Sequence, residues 1–324
     1  MKRIIFIVLT FSVMFSFYCD ESNDDGFVCR RGDDGREFMY EGDENWVTWL
    51  HDITLSPDAS EVVFNARLSG EYTHEGIIAL NVNTNETRVL LEEDAYWPKW
   101  SPSGDWIAFS TYMGPGTFYN VYLIRPDGTG LRPAVSSTNP FNNTAEAWFN
   151  EEDSLVVFSY KGFEQVVLVY EVLSDAYKEV WSFGDVFNCE AAAVSPWDEW
   201  VALTLSPMGG VPDLQLAYLR SDWTDYYVEI RNRDIFGEVE DWSPDGVYIL
   251  FSLMVRSSEY LDTELWTYDT KTGAFEQLTM APEGYSVPGY PQVKYETIQG
   301  AEWGPDGYIY FAANNNLYKI KAPK

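Results

Sequence analysis

A five-residue pattern, Trp-Ser-Pro-Asp-Gly, constrains this chain more than anything else in it. It stands in full at Trp242-Ser243-Pro244-Asp245-Gly246, and Val247 to Phe251 follow as a run of β-branched and aromatic residues. Such a run reads as a buried strand. The pattern ahead of it is turn chemistry: Pro244 presets φ, Asp245 bonds nearby backbone N–H groups, and Gly246 tolerates a left-handed conformation. Close copies stand at Trp100-Ser101-Pro102-Ser103-Gly104, before Trp106 to Phe109, and at Trp303-Gly304-Pro305-Asp306-Gly307, before Tyr308 to Phe311. Three worn copies lead into Val62-Val63-Phe64, Leu155 to Phe158 and Trp200 to Leu203. Taken at the proline position, the anchors Pro57, Pro102, Asn150, Pro196, Pro244 and Pro305 are separated by 45, 48, 46, 48 and 61 residues.

Six strand–turn–strand units at this spacing predict an all-β fold, a six-bladed β-propeller of four-stranded antiparallel blades. Each unit is followed by a hairpin: Gly76 to Val82 with Glu86 to Leu91, Tyr119 to Arg125 with Leu131 to Val135, Gln165 to Val172 with Tyr177 to Trp181, Leu214 to Arg220 with Tyr226 to Ile230, and Glu264 to Asp269 with Ala274 to Thr279. Turn residues such as Asp127-Gly128 and Thr272-Gly273 sit where hairpins need them. The last unit is one strand short. Arg36 to Tyr40, ahead of the first unit, is expected to supply that outer strand and so close the ring, which removes open edges. The propeller then occupies 36–324 and no second domain is needed. With 13 Trp, 22 Tyr and 19 Phe, there is ample aromatic surface for packing blade on blade.

The Trp-Ser-Pro-Asp-Gly units, each leading into a strand such as Trp106-Ile107-Ala108-Phe109, resemble the repeats of the TolB-like β-propeller family. The resemblance covers roughly 36–324 and implies the propeller fold with a binding role. It does not by itself name an activity, because propellers host many. Similar propellers also precede hydrolase domains in peptidases of the prolyl oligopeptidase kind, and such a domain is not expected here.

Lys2-Arg3 followed by the apolar run Ile4 to Phe17 reads as a signal peptide over 1–18. Ser16-Phe17-Tyr18-Cys19 resembles a lipoprotein processing site, with Cys19 as the lipidated residue; Tyr18 departs from the small residue usual there. An ordinary cleaved signal with an incidental Cys is the alternative. Residues 19–35 read as an acidic tether. The expected localisation is therefore export to the periplasm or outer-membrane surface as a monomer, with membrane contact through the lipid alone. The formal charge of −30, from 51 acidic and 21 basic residues, argues against nucleic acid and against adhesion to anionic lipid. Cys29 and Cys189 remain as an even pair, whose pairing the repeats do not place.

Propeller ligands meet the channel mouth, where inner strands begin. Counting back about four residues from each Trp position nominates His51, Asp52, Asp94, Tyr96, Asn143, Thr144, Glu190, Glu238 and Gln299. Carboxylates around one ring suit a basic peptide or a divalent cation such as Ca2+; no cofactor is otherwise implied. A slip of one residue in this count would change which groups face inward. The turn residues Asp58, Asp245, Asp306, Ser56, Ser101, Ser195 and Ser243 are read as structural. No Gly-x-Ser-x-Gly elbow, phosphate loop or dinucleotide fingerprint occurs, and neither His51 nor His74 has an evident nucleophile partner.

Three readings remain, one of them a purely structural envelope component that needs no site; the other two are functions. The first is a non-enzymatic module binding an envelope protein or peptide through one face of the ring, aided by the long connection at 280–298. The second is a glycan-active lyase or hydrolase using paired carboxylates at the channel mouth as acid and base.

Overall fold

The computed structural model describes residues 34–41, 50–68, 74–113, 118–136, 142–151, 153–162, 164–184, 187–207, 214–232, 236–256, 261–280 and 298–323. The expected leader, Cys19, the tether up to residue 33, Cys29 and most of the 280–298 connection lie outside these residues. Among the described residues there are 24 strands in six four-stranded sheets and no helix.

Strand β1 is Glu37–Glu41. Blade one is β2 Leu50–Leu55, β3 Glu61–Leu68, β4 His74–Asn81 and β5 Thr87–Leu91. Blade two is β6 Ala95–Trp100, β7 Ile107–Thr111, β8 Asn120–Ile124 and β9 Arg132–Val135. Blade three is β10 Asn143–Trp148, β11 Ser154–Lys161, β12 Glu164–Glu171 and β13 Ala176–Ser182. Blade four is β14 Phe187–Val194, β15 Trp200–Pro207, β16 Leu214–Arg220 and β17 Tyr226–Asn232. Blade five is β18 Phe236–Trp242, β19 Tyr248–Arg256, β20 Leu261–Asp269 and β21 Phe275–Gln277. Blade six is β22 Ile298–Trp303, β23 Tyr308–Ala313 and β24 Asn316–Lys321, and β1 pairs antiparallel with β24 as its fourth strand. The N-terminal strand therefore closes the ring, as the missing strand in the last repeat predicts.

The repeated turn owes its shape to its own side chains. Ser243 Oγ donates to Asp245 at 2.7 Å and accepts the Tyr248 N–H at 2.8 Å, while Asp245 takes the Val247 N–H at 3.1 Å. Ser56 and Asp58 repeat this arrangement in blade one. Hydroxyl and carboxylate are consumed by the turn, which pulls the Asp58 carboxyl down to about 2 through bonds from Ser60 and Ser56. Gly246, at φ +62°, takes the left-handed position.

Between blades, apolar side chains of neighbouring second and third strands form the core; Phe64, Phe109, Phe158, Phe251 and Phe311, one from the second strand of each of five blades, are nearly or completely buried. Every seam is also crossed by a polar side chain that accepts an inner-strand N–H of the next blade. Thr54 takes Trp100 N–H (3.0 Å), Ser110 takes Ala145 (3.0 Å), Gln165 takes Cys189, and Thr204 takes Val239 (2.8 Å). Glu240 takes Ala301 (3.2 Å), Asp241 takes Trp303 (2.8 Å) and Glu302 takes Leu55 (3.1 Å). The ring is thus bonded through all six seams, and at the two seams flanking blade six the acceptors are carboxylates. Inner-strand N–H groups have no second backbone partner on the channel side, so these bonds satisfy donors that burial would otherwise leave costly.

Candidate functional site: the central channel

One irregularity is shared by all six inner strands. Each carries one residue more than the strand it pairs with, so the ladder skips: at Asp52 between His51 and Ile53, at Glu146 between Ala145 and Ala147, at Glu190 between Cys189 and Ala191, and at Glu240 between Val239 and Asp241. In blades two and six, two residues, Trp97-Pro98 and Gln299-Gly300, span one position of the neighbour. A bulge re-aims its extra residue out of the ladder. Here the new direction is the channel. Asp52, Trp97, Glu146, Glu190, Glu240 and Gln299-Gly300 all line one cavity of about 550 Å³. Asp52, Trp97 and Gly300 hold positive φ values of 48°, 52° and 94° to make the turn.

The inner strands touch in chain order and β22 touches β2, so the bulges run around the channel as Asp, Trp, Glu, Glu, Glu, Gln. Blade two faces blade five across a six-membered ring. Trp97 and its neighbours Tyr96 and Tyr119 therefore look across the channel toward Glu238 and Glu240. Tyr119 packs edge to face on Trp97 and on Tyr96, with centroids 5.1 and 5.4 Å apart, Tyr96 and Trp97 are tilted against each other at 5.8 Å, and Tyr112 stacks on Tyr119 at 4.1 Å. Burial, together with the nearby charges of Glu75 and Asp94, pushes the Tyr96 phenol up to about 12, so the wall is neutral at physiological pH.

Charge in the channel is lopsided. Asp52, Glu146, Glu190, Glu238 and Glu240 line it, against Lys99 as the one basic side chain among the described lining residues. Burial, then the charge of Glu190, pushes Glu146 up to about 7 against the opposing pull of Thr144 and Lys99. Glu238 is pushed up to about 8 by withdrawal from bulk water and by Glu240, Asp52, Glu190 and Glu146. Because the Glu238 side chain still touches channel water, that direction stands on the four carboxylates around it as much as on burial. Glu240 is raised too, mainly by burial. The charge of Lys99, itself half-buried, reaches Glu146, Glu240, Asp241 and Glu302.

Of the residues nominated from sequence, Asp52, Tyr96, Thr144, Glu190, Glu238 and Gln299 line this cavity together. Asp94 is not in its wall: its Oδ1 accepts the Glu75 N–H at 3.0 Å. Asn143 is buried and bonded to Ser159 at 2.6 Å. His51 is in β2, and its side chain lies outside the description. Cys189 is a buried free thiol, raised well above the usual thiol range by burial, and Cys29 falls outside the described residues. Counting from the Trp missed Trp97, Lys99, Glu146 and Glu240. A usable signal was present: Glu146 and Glu240 both stand two residues before a Trp, inside a segment that must be a strand. Among the described residues no three His, Cys, Asp or Glu side chains converge as metal ligands.

No family model and no curated sequence matches the chain. Solved structures do. A structure assigned as TolB from Agrobacterium tumefaciens superposes with a TM-score of 0.62 at 16% identity, over 86% of this chain and 91% of that one. An oligogalacturonate lyase from Vibrio parahaemolyticus superposes with a TM-score of 0.55 at 10% identity, over 90% and 97% of the two chains. An oligogalacturonate lyase in complex with manganese gives 0.53 at 11% identity, over 89% and 90%. At these identities the likeness defines the fold: a TolB-like six-bladed β-propeller.

Proposed function

We propose that this chain is an exported, lipid-anchored propeller that binds a protein or peptide partner at its channel mouth and carries out no chemistry there. The observation that supports it most is the set of six bulges, which hand one or two residues from every blade to a single cavity. A surface composed in this way is a recognition surface: its shape is fixed by the ring and its chemistry by the six bulges. The likeness to TolB structures supports a binding role, and the Lys2-to-Cys19 pattern supports export and anchoring. The test is affinity capture from detergent-solubilised envelope with the full chain as bait, beside a bait carrying Asp52→Asn, Glu190→Gln and Glu238→Gln. A partner held by the native chain and lost from the triple variant is the expected result. Equal capture by both baits moves the site off the channel.

A second reading, a glycan-active lyase or hydrolase, draws on Glu146 and Glu238, whose raised pKa values near 7 and 8 suit a general acid. The likeness to oligogalacturonate lyases gives it company. The lining narrows it: carboxyls outnumber the single lysine five to one, even with Glu146 and Glu238 partly protonated, so neutral glycans are the substrates to test. Release of new reducing ends from neutral glycans, abolished by Glu146→Gln, would establish this reading over the first.

A further inference from the structure

We infer that the channel mouth binds the uncharged rings of an oligosaccharide, the C–H face of one ring lying on the Trp97 wall of blade two and its hydroxyls meeting the carboxyls across the channel. The inference rests on the second reading's choice of a glycan at this site, names what holds it there, and asks for binding alone. Three observations carry it.

The first is the platform. Trp97 holds φ +52°, a left-handed conformation that a bulky residue rarely adopts, and the bulge of blade two thereby puts an indole into the cavity lining. Tyr96 and Tyr119 meet that indole at 45° and 65°, so among the described residues no ring is stacked parallel on it. A half-buried indole is a flat apolar surface, and the C–H face of a sugar ring is flat and apolar too, so stacking the two takes both out of water. The second is the opposite wall. Glu238 makes no hydrogen bond among the described residues, and burial with its neighbouring carboxyls keeps it largely protonated at neutral pH. A protonated carboxyl donates from one oxygen and accepts at the other, and a sugar hydroxyl answers both. Glu190 and Glu146 are steered beside it by Ser206 and Thr144, each of which donates to the carboxyl's Oε1. The third is that both walls belong to one cavity of about 550 Å³, within the range of small-ligand pockets. Its occupant must offer an apolar face to one side and hydrogen-bonding groups to the other, and a sugar ring carries both on one rigid frame. A wholly apolar ligand would strand the carboxyls without partners, and an acidic one would meet carboxyls that outnumber the lone lysine.

The test is calorimetric titration of the full chain with cellotetraose, maltotetraose and tetra-N-acetylchitotetraose, and with tetragalacturonate as the acidic counterpart. At least one neutral tetraose is expected to bind, and to do so at least about tenfold more tightly than tetragalacturonate. Trp97→Leu should weaken that sugar by about tenfold, with Trp97→Phe between, and both variants are to melt like the native chain. Glu238→Gln keeps a donor and an acceptor without a charge and should bind within about threefold of the native chain, whereas Glu238→Leu should lose about tenfold. Tyr177→Ser, on exposed outer-strand residue Tyr177 of blade three, should change nothing. Binding of none of the neutral tetraoses, equal binding of tetragalacturonate, or full affinity in Trp97→Leu overturns the inference, and the capture experiment then decides the partner reading by itself. Binding without release of reducing ends upholds the inference and removes the enzymatic reading alone.

Discussion

Asp241 and Glu302 show how much a single side chain can hold. Asp241 accepts the Trp303 N–H across a seam and the Trp242 N–H, at 2.8 and 2.7 Å. Glu302 accepts the Leu55 N–H at 3.1 Å and is bonded by Thr54, which in turn accepts the Trp100 N–H at 3.0 Å. Blades five, six, one and two are thereby linked through two buried carboxyls. Burial, then the charge of Asp241, pushes Glu302 up to about 8; burial pushes Asp241 up to about 6. Both native-state values lie above the unfolded ones, so the folded ring binds the extra protons. The stability they favour is fully present below about pH 4 and is lost as pH rises through 6 to 8. Melting temperature is therefore expected to fall between pH 5 and pH 9. Glu302→Gln keeps an amide oxygen for Leu55 and removes the titration. It should melt a few degrees above the native chain at pH 8.5, with the gap closing at pH 5, as calorimetric melts would show. Residue type gave no warning of this role: a carboxylate before a Trp looks the same in sequence whether it meets water or a blade seam.

The element that matters is the bulged inner strand. Gly300 sits where the bulge of blade six meets that of blade one: a Cβ there would fall 2.9 Å from Asp52 Cα and Ile53 N, at φ +94°. Those are backbone atoms and cannot swing aside. Gly246 also has positive φ, but a Cβ there meets the ring of Trp197, an exposed side chain that can move. Gly246→Ala should thus cost ~1 kcal/mol, the left-handed penalty alone, and Gly300→Ala roughly 2–4 kcal/mol because backbone must shift as well. Urea unfolding of the two variants separates them. The bulges also explain which parts of the site were legible. Strands, turns and the closing β1 follow from period and pattern, and their observed ends differ from the expected ones by a residue or two at most positions. The lining did not follow so fully. The extra residue sits two positions before the Trp at Glu146 and Glu240, but four before the equivalent position, Val194, at Glu190. One extra residue reverses which side chains face inward, so no constant offset finds them all. Asp52, Glu190, Glu238 and Gln299 fell within reach of the count; Glu146, Glu240 and Trp97 did not.

At the scale of the whole molecule, six similar units, a closed ring and a formal charge of −30 set the behaviour. A surface so acidic repels itself, and salt screens that repulsion. Raising sodium chloride from about 20 mM to about 500 mM, which shortens the screening length to a few ångströms, should raise the melting temperature. The fold at this scale was legible because each repeat announces itself; the seams were not, because their bonds join residues 24 to 62 positions apart, or 247 at the closure. The closing strand has a mechanical side. Just ahead of β1, Asp34 accepts the Met280 N–H at 2.8 Å, and Arg36 donates to the Met280 carbonyl at 2.9 Å while pairing with Asp34. Tension arriving through residues before 34 meets this fastener first and is shunted into blade five, where Met280 follows β21. Only after it lets go does the pull reach the Glu37–Lys319 end of the β1–β24 ladder. A propeller hung by its first strand would be expected to unzip from the hook, and this one has its hook sewn to the neighbouring panel.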